Sequence, residues 1–153
     1  MIDHELGNPR SRRQLAELCF AVVRRLRNRA AELASDFGLS FLQARALWRL
    51  EQPLPTGTLA EQLGLDRSNV TSVVDRLEAG GFITRQPHPE DRRVKLLALT
   101  DAGRALRAQL DAALFATVTL FDGLSPAEQG ELEALLAKIL EHADATEAAP
   151  VAP

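Results

Sequence analysis

The chain has 153 residues, 46% of them hydrophobic, a length and composition that suit one ordinary domain with a sizeable core. No apolar run approaches the roughly 18 residues that a membrane-spanning helix needs, and the first residues lack the apolar segment of a signal peptide. We therefore expect a cytoplasmic protein that does not enter a membrane. The single cysteine, Cys19, excludes an intramolecular disulfide and fits a reducing compartment.

The formal net charge of −3 hides an uneven distribution along the chain. Residues 10–29 hold seven arginines against one acid, whereas residues 121–153 hold one lysine against seven acids. Such segregation is typical of a protein with one DNA-facing side, although solvated helix faces produce the same pattern.

Two helices open the chain. Apolar residues recur every three or four positions over residues 12–37, which predicts a long helix that ends at Gly38. Ser40 suits the N-cap of a second helix over residues 41–50. Pro53 and Pro55 then mark a break in regular structure.

The next segment has the pattern of a helix-turn-helix. Residues 59–63 form a short predicted helix, with Thr58 as its N-cap and Glu61 as the capping-box partner. Gly64 allows a sharp turn, and Asp66 is placed to cap the helix that follows.

The second helix of this pair has a buried stripe and a polar face. Valines and Leu77 supply the stripe at helical spacing, which leaves the other faces polar. Serine and threonine are poor helix formers, and a helix that enters the major groove gives a reason for their clustering. Ordinary solvation is the alternative reading. The predicted exposed residues are Arg67, Ser68, Asn69, Thr71, Ser72, Asp75 and Arg76.

A β-hairpin with a projecting loop is predicted after Gly80 and Gly81. One strand begins over residues 82–85 and the other covers residues 94–99. Residues 86–93, with the sequence QPHPEDRR, are too polar for the core and too rich in proline for either strand to continue. We therefore expect a two-stranded wing.

The wing loop holds four candidate contacts to DNA. Arg92 and Arg93 are suited to the minor groove, where a narrow width concentrates negative potential. Asp91 can hold the guanidinium of Arg93 through a bidentate pair. His88 is a candidate phosphate contact, although an ordinary loop residue is the simpler interpretation.

The C-terminal third contains two further predicted helices. Thr100 is an N-cap for a helix that runs from residue 101 to about residue 121. Ser125 and Glu128 form a capping box around Pro126, the first residue of the last helix. Residues 146–153 are predicted to be a disordered tail.

The long apolar stripes of the terminal helices exceed what a small winged module covers. We therefore predict that residues 12–37 and 101–145 form a dimerisation region and that residues 40–100 form the winged helix-turn-helix. A symmetric dimer would bind a pseudo-palindromic operator. The alternative is a monomer whose terminal helices fold back on the module.

One motif resembles a known family. Asp91 and Arg93, followed by five residues, Leu99-Thr100 and then Gly103, resemble the D-x-R-x5-L-T-x-x-G signature of the MarR family of transcriptional regulators. The upstream run LAEQLGLDRSNVTSVVDRLEAGGFITR is also similar to the helix-turn-helix of that family. The resemblance extends over nearly the whole chain, as six helices with a two-stranded wing.

The resemblance implies a mainly α homodimer that binds double-stranded DNA. Such proteins commonly repress a neighbouring gene and are released by a small phenolic or aromatic acid, or by cysteine oxidation. The resemblance assigns Arg93 to the minor groove and Asp91 to the orientation of Arg93. It assigns contacts to bases or phosphates to Ser68, Asn69, Thr71, Ser72 and Arg76.

Candidate sensing residues lie in the first two helices, where the family binds its ligands. The aromatic candidates are Phe20 and Trp48, which are more often core residues. The candidate partners of a ligand carboxylate are Arg10, Arg12 and Arg13.

Cys19 gives a second sensing hypothesis, because its position resembles that of the reactive cysteine in the organic-hydroperoxide branch of the family. The chain departs from that branch in having no tyrosine. The place of Cys19 on the apolar stripe favours an inert buried thiol.

No catalytic constellation, nucleotide-binding loop, metal cluster or cofactor motif is found, so we do not expect an enzyme. A winged helix that serves only as a protein-interaction module is the alternative from another class.

Overall fold

The computed structural model describes residues 9–91 and 93–147, which divide into one unit that ends at Thr117 and a second that begins at Val118. The elements in the first unit are α1 (Pro9–Asp36), α2 (Phe41–Arg49), β1 (Leu54–Pro55), α3 (Thr56–Leu63), α4 (Arg67–Ala79), β2 (Ile83–Pro87), β3 (Lys95–Leu99) and α5 (Asp101–Thr117). The second unit contains α6 (Pro126–Glu147). The predicted mainly α winged helix-turn-helix with six helices is confirmed.

The hydrophobic core lies in the first unit and joins all of its elements. The end of α1, the whole of α2 and the inner faces of α3 and α4 supply most of the buried side chains, and Leu97 and Leu110 add contacts from β3 and α5. The stripe predicted for α4 is confirmed, because Val70, Val74 and Leu77 are fully buried and Val73 is 8% exposed.

The turn between α3 and α4 depends on Gly64. Its φ of 64° lies in the left-handed region, which side chains disfavour. The N–H of Gly64 donates to the carbonyl of Glu61 at 3.1 Å, and the N–H of Leu65 donates to the carbonyl of Ala60 at 3.0 Å. These two bonds form a Schellman motif that satisfies the last carbonyls of α3. The ends of α1 at Gly38 and of α4 at Gly81 have the same pair of bonds.

The predicted start of α3 is wrong. The helix begins at Thr56 after Pro55, and no side chain caps it. Thr58 and Glu61 therefore lie inside the helix, where Thr58 has a helical backbone and is not in the extended conformation of an N-cap. Ser40, by contrast, caps α2 as predicted, in a full capping box with Gln43.

The sheet has three strands, whereas the sequence predicted two. β1 adds to the outer edge of β3, with Leu54 opposite Leu97 and Pro55 opposite Leu96, which gives the order β1-β3-β2. A strand of two residues, the second of them proline, gives no periodic signal, and proline is tolerated on an edge strand. The hairpin ladder is also longer than predicted, because it reaches the pair Pro87 and Lys95.

Thr100 and Gly103 attach the start of α5 to the end of α4. The hydroxyl of Thr100 accepts from the N–H of Gly103 at 3.0 Å, as predicted for an N-cap, and donates to the carbonyl of Gly81 at 2.6 Å. The N–H of Thr100 also donates to the carbonyl of Phe82 at 3.0 Å. A Cβ atom on Gly103 would overlap that same Phe82 carbonyl oxygen. A side chain is therefore excluded at residue 103.

α5 ends earlier than the predicted residue 121, at Thr117. The hydroxyl of Thr117 donates to the carbonyls of Ala113 and Leu114, and two β-branched residues, Val118 and Thr119, follow. Side-chain bonds of this kind compete with the helix, and β-branched residues propagate it poorly.

The capping box of α6 is present as predicted. The hydroxyl and the N–H of Ser125 both donate to the carboxylate of Glu128, at 2.7 and 2.8 Å. These bonds, the hydroxyl first, lower the pKa of Glu128 below its ordinary value. Thr146 and Glu147 belong to α6, and the rest of the predicted tail lies outside the described residues.

We predict that Gly103→Ala lowers the free energy of unfolding by about 3 kcal/mol, because the new methyl group must displace the backbone at Phe82. Denaturant unfolding followed by circular dichroism measures the change. Gly130→Ala is the control, since nothing lies within 4 Å of a Cβ atom at that position of α6. It should stabilise its helix by about 1 kcal/mol. Equal effects of the two substitutions would contradict the close contact.

Candidate nucleic-acid interface

α4 presents an unbroken polar face to solvent. All seven residues predicted to be outside the stripe are exposed, from Arg67 to Arg76. Asp66 occupies the N-cap position as predicted, but its side chain makes no capping hydrogen bond. The first-turn amides of α4 therefore donate no hydrogen bond to the Asp66 carboxylate.

Three residues of this face are committed to contacts within the protein, namely Thr71, Arg67 and Asp75, whose carboxylate pairs with Arg85. The hydroxyl of Thr71 donates to the carbonyl of Arg67 at 2.8 Å, so it offers only an acceptor and a methyl group outward. The guanidinium of Arg67 lies against Gly57 of α3, where a Cβ atom would be 3.2 Å from Nη2. Arg67 is thus directed towards the first turn of α3. Ser68, Asn69, Ser72 and Arg76 remain exposed on α4.

The wing loop is held by its own backbone and two side chains. The N–H of His88 donates to the carbonyl of Val94 at 2.9 Å, and the N–H of Val94 donates to the carbonyl of Asp91 at 3.0 Å. Nδ1 of His88 accepts from the N–H groups of Glu90 and Asp91 at 3.1 and 3.4 Å. The sequence pattern left His88 as either a phosphate contact or an ordinary loop residue, and the structure shows that its ring accepts hydrogen bonds inside the loop.

Asp91 orients Arg93 differently from the predicted bidentate pair. Its carboxylate accepts from the backbone N–H of Arg93 at 2.9 Å, an arrangement that places the chain rather than the guanidinium. The side chain of Arg93 is exposed. Arg92, the other predicted contact of the wing, lies outside the described residues.

Arg85 is a functional candidate that the sequence analysis missed. From β2 its guanidinium donates to Asp75 of α4 at 2.5 Å and pairs with Glu78 at 3.2 Å. The residues are ten and seven positions apart in sequence, and their proximity depends on how β2 packs on α4. Sequence periodicity alone does not provide that information.

The candidate ligand residues are divided between a surface and the core. Phe20 is 74% exposed and is therefore not a core residue of the single chain. Helical spacing puts it beside Arg24 and Arg27. Arg10, Arg12 and Arg13 are exposed on α1, and Arg13 pairs with Glu17 at 2.8 Å. Trp48 packs against the core, and its buried Nε1 atom has no hydrogen-bond acceptor among the residues that the structure describes.

Cys19 is exposed, which contradicts the expectation of a buried thiol. The N-terminal half of α1 extends beyond the elements that cover its C-terminal half, so the stripe is buried only from Ala30 onward. Within residues 9–91 and 93–147, no helix is both long and apolar enough to cross a bilayer. In the same residues no group of histidine, cysteine or acidic side chains is arranged to hold a metal ion.

A tight helix pair whose second helix exposes a polar face beside a β-hairpin defines the class of winged helix-turn-helix DNA-binding proteins. Comparison with known proteins supports the same class. The MarR family model matches residues 39–95, the segment from the start of α2 to the start of β3.

Relatives in Escherichia coli are named as regulators of transcription. The chain is 31% identical to the HTH-type transcriptional regulator PapX over 58% of its own length and 57% of PapX. It is 27% identical to the HTH-type transcriptional regulator PrsX over 85% of its own length and 81% of PrsX.

Solved structures show the same fold over most of the chain. A MarR family protein from Bacillus stearothermophilus, at 23% identity, superposes with a TM-score of 0.81 over 90% of this chain and 99% of its own. Apo MarR from E. coli, at 27% identity, superposes with a TM-score of 0.74 over 82% of this chain and 96% of its own. CouR from Rhodococcus jostii RHA1, bound to p-coumaroyl-CoA, is 28% identical. It superposes with a TM-score of 0.68 over 82% of this chain and 90% of its own.

The chain belongs to the MarR family of transcriptional regulators. That class consists of DNA-binding proteins and not of enzymes.

We predict that Asp91→Ala speeds hydrogen exchange of the Arg93 amide about 5-fold, because the amide loses its acceptor. Asp91→Asn keeps an oxygen in the same place and should preserve the protection. NMR exchange measurements on the free protein distinguish the two variants. Equal exchange in both variants and the parent protein would contradict the role of the Asp91 carboxylate in shaping the loop.

Proposed function

We propose that this protein is a sequence-specific repressor that binds a pseudo-palindromic operator as a homodimer and is released by a small aromatic or phenolic ligand. The observation that carries the DNA-binding part is the exposed polar face of α4 beside a wing loop whose shape is fixed by His88 and Asp91. A preformed surface binds DNA without the entropic cost of ordering.

The proposed contacts to DNA differ in the chemistry of their side chains. Ser68, Asn69 and Ser72 have short side chains that allow α4 to approach base edges in the major groove. Arg76 and Arg67 reach phosphates, and Arg67 does so from the α3 side because of its contact with Gly57. Thr71 offers its methyl group or an acceptor. Arg93 and Arg92 are assigned to the minor groove, and His88 to a supporting phosphate contact.

We predict that Arg93→Ala weakens binding to all sequences by about 10-fold and reduces the log–log salt slope by about one unit, because one cation is lost. Ser72→Ala should instead change the preferred sequence, with a smaller loss on non-specific DNA. Electrophoretic mobility shifts with sequences selected from a random pool measure both effects.

Arg29→Ala is the control for charge, since Arg29 lies on α1 and pairs with Glu32. Its effect on affinity should be under about 2-fold, the usual result for an exposed pair. A salt slope unchanged in Arg93→Ala, with an unchanged sequence preference in Ser72→Ala, would show that the groove assignments are wrong.

Exposed apolar side chains support the homodimer. On α1 the first half of the stripe is open to solvent, including Leu15 at 60% and Val23 at 59%. On α6 the exposed members include Ile139 at 59% and Leu140 at 64%. Patches of this kind mark interfaces. We assign them to a second copy of the chain, with residues 12–37 and 101–145 as the dimerisation region.

We predict that Ile139→Asp weakens dimerisation by about 100-fold or more. Each copy loses one buried aliphatic side chain, whose burial contributes about 1.5–3 kcal/mol, so two are lost per dimer. Ala134→Asp introduces the same charge on the opposite face of α6 and should leave the dimer intact. Sedimentation equilibrium measures the constants. A parent protein that is monomeric at micromolar concentration would refute the assignment.

The ligand proposal is supported by the unpaired Nε1 donor of Trp48. A buried donor without an acceptor costs stability, and the oxygen of an aromatic acid or phenol would satisfy it. CouR is a relative that binds such a compound, p-coumaroyl-CoA. Phe20 and the arginines Arg10, Arg12 and Arg13 are then candidates for a wall that a second copy completes.

The chain has one tryptophan, so its fluorescence reports on this site. We predict that p-coumaric acid or p-coumaroyl-CoA changes the emission of Trp48 and releases DNA, and that Trp48→Phe needs about 5-fold more compound for release because it lacks the donor. Unchanged emission and unchanged DNA affinity with both compounds would contradict this choice of ligand class.

Oxidation of Cys19 is a second candidate signal, because its thiol is exposed in the single chain and lies on the stripe of α1 that the proposed dimer would cover. Stoichiometric peroxide followed by mass spectrometry and DNA binding tests it, and unchanged affinity of the oxidised protein would exclude it. A purely protein-binding role is the alternative from another class. Salt-dependent binding of the protein to DNA from the upstream region of its own gene would exclude that role.

A further inference from the structure

Arg85 makes ionic contacts between the wing and α4, the proposed recognition helix, outside the hydrophobic core. Its two terminal nitrogens contact separate carboxylates, Asp75 at 2.5 Å and Glu78 at 3.2 Å. The two acids are three residues apart on α4, so one planar guanidinium reaches both. The three side chains are between 36% and 56% exposed.

The hairpin depends on such a contact because little of it is buried. In β2 only Ile83 is in the core, and the following residues through Pro87 are exposed. In β3 Leu96, Leu97 and Leu99 are buried, whereas Lys95, the residue beside the loop, is exposed. β2 beyond Ile83 therefore has backbone ladder bonds to β3 but no buried side chain of its own.

The same contact also controls charge on the DNA-facing side. Asp75 lies one helical turn beyond Thr71 and is exposed on the face that carries Ser72 and Arg76. An unpaired carboxylate there would repel phosphates. Arg85 engages one oxygen of Asp75 and holds it towards β2.

We propose that Arg85 is a positioning residue that fixes the angle between the wing and α4, so that Arg93 and the α4 face engage the same DNA together. This inference rests on the proposed DNA-binding function. Arg85 itself needs no contact with DNA for this role. The simpler alternative is that Arg85 contributes only positive charge.

Removing the two acids separates these explanations. The Asp75→Asn, Glu78→Gln double variant keeps Arg85 and loses two negative charges, so a charge effect alone predicts tighter binding to DNA. A positioning role predicts that the contribution of Arg93 is lost, because the wing is no longer held. The readout is the loss of affinity caused by Arg93→Ala in each background.

In the parent protein Arg93→Ala should cost about 10-fold in affinity, and in the double variant less than about 2-fold. The matched background is Glu32→Gln with Glu51→Gln, which removes two acids that pair with Arg29 and Arg107 elsewhere. The cost of Arg93→Ala there should stay near 10-fold. Thermal unfolding verifies that each variant is folded, and Asp75→Asn alone replaces the double variant if the latter is unstable.

The inference is overturned if Arg93→Ala costs the same in the double variant as in the parent. It is also overturned if Arg93→Ala costs nothing in the parent, because there is then no wing contact to position. A parent protein that binds no DNA at all is a different result, which refutes the proposed function itself.

Discussion

The attachment of α5 to the corner between α4 and β2 is the constraint on which the DNA-binding unit depends. The Thr100 hydroxyl accepts from Gly103 and donates to Gly81, so one side chain caps α5 and also binds the end of α4. Gly103 allows the backbones to meet at Phe82. Thr100 directly follows β3 and Phe82 directly precedes β2, so both ends of the hairpin are fixed to the end of the recognition helix.

From that corner to the tip of the loop, the interactions that hold the wing become weaker. Buried leucines of β3 fix the base, the ladder continues to Pro87, and hydrogen bonds to His88 and Asp91 shape the loop. A single exposed ion pair contributes little to stability. Arg85, however, pairs with two carboxylates of α4, and β2 beyond Ile83 has no buried side chain that links it to that helix. The recognition helix and the wing therefore form one preorganised unit. In the proposed dimer a ligand would then change the distance between the DNA-binding parts of the two copies, and not the shape of either part.

Sequence periodicity predicted the parts of this architecture that depend on local chemistry. The buried stripe of α4, the N-caps of α2, α5 and α6 and the glycine helix ends at Gly38 and Gly64 follow from side-chain type and spacing, and these are present. The capping box predicted at Thr58 and Glu61 is not. Errors arose where tertiary contacts decide the outcome. Thr58 lies within a helix that begins after a strand-forming proline, and the N-terminal half of α1 has no cover in the first unit, which leaves Phe20 and Cys19 exposed. The partners of Arg85 required knowledge of how β2 packs on α4.

Native-state hydrogen exchange tests the central claim that the recognition helix and the wing are one unit. The probes are the amide of Phe82, bonded to Leu77 at the end of α4, the amide of Thr100, bonded to Phe82, and the amide of His88, bonded to Val94 in the wing. If the helix and the wing are one unit, the three amides should open with free energies within about 1 kcal/mol of one another, as members of one cooperative unit do. Exchange of the His88 amide through a much easier local opening, while the other two stay protected, would contradict it.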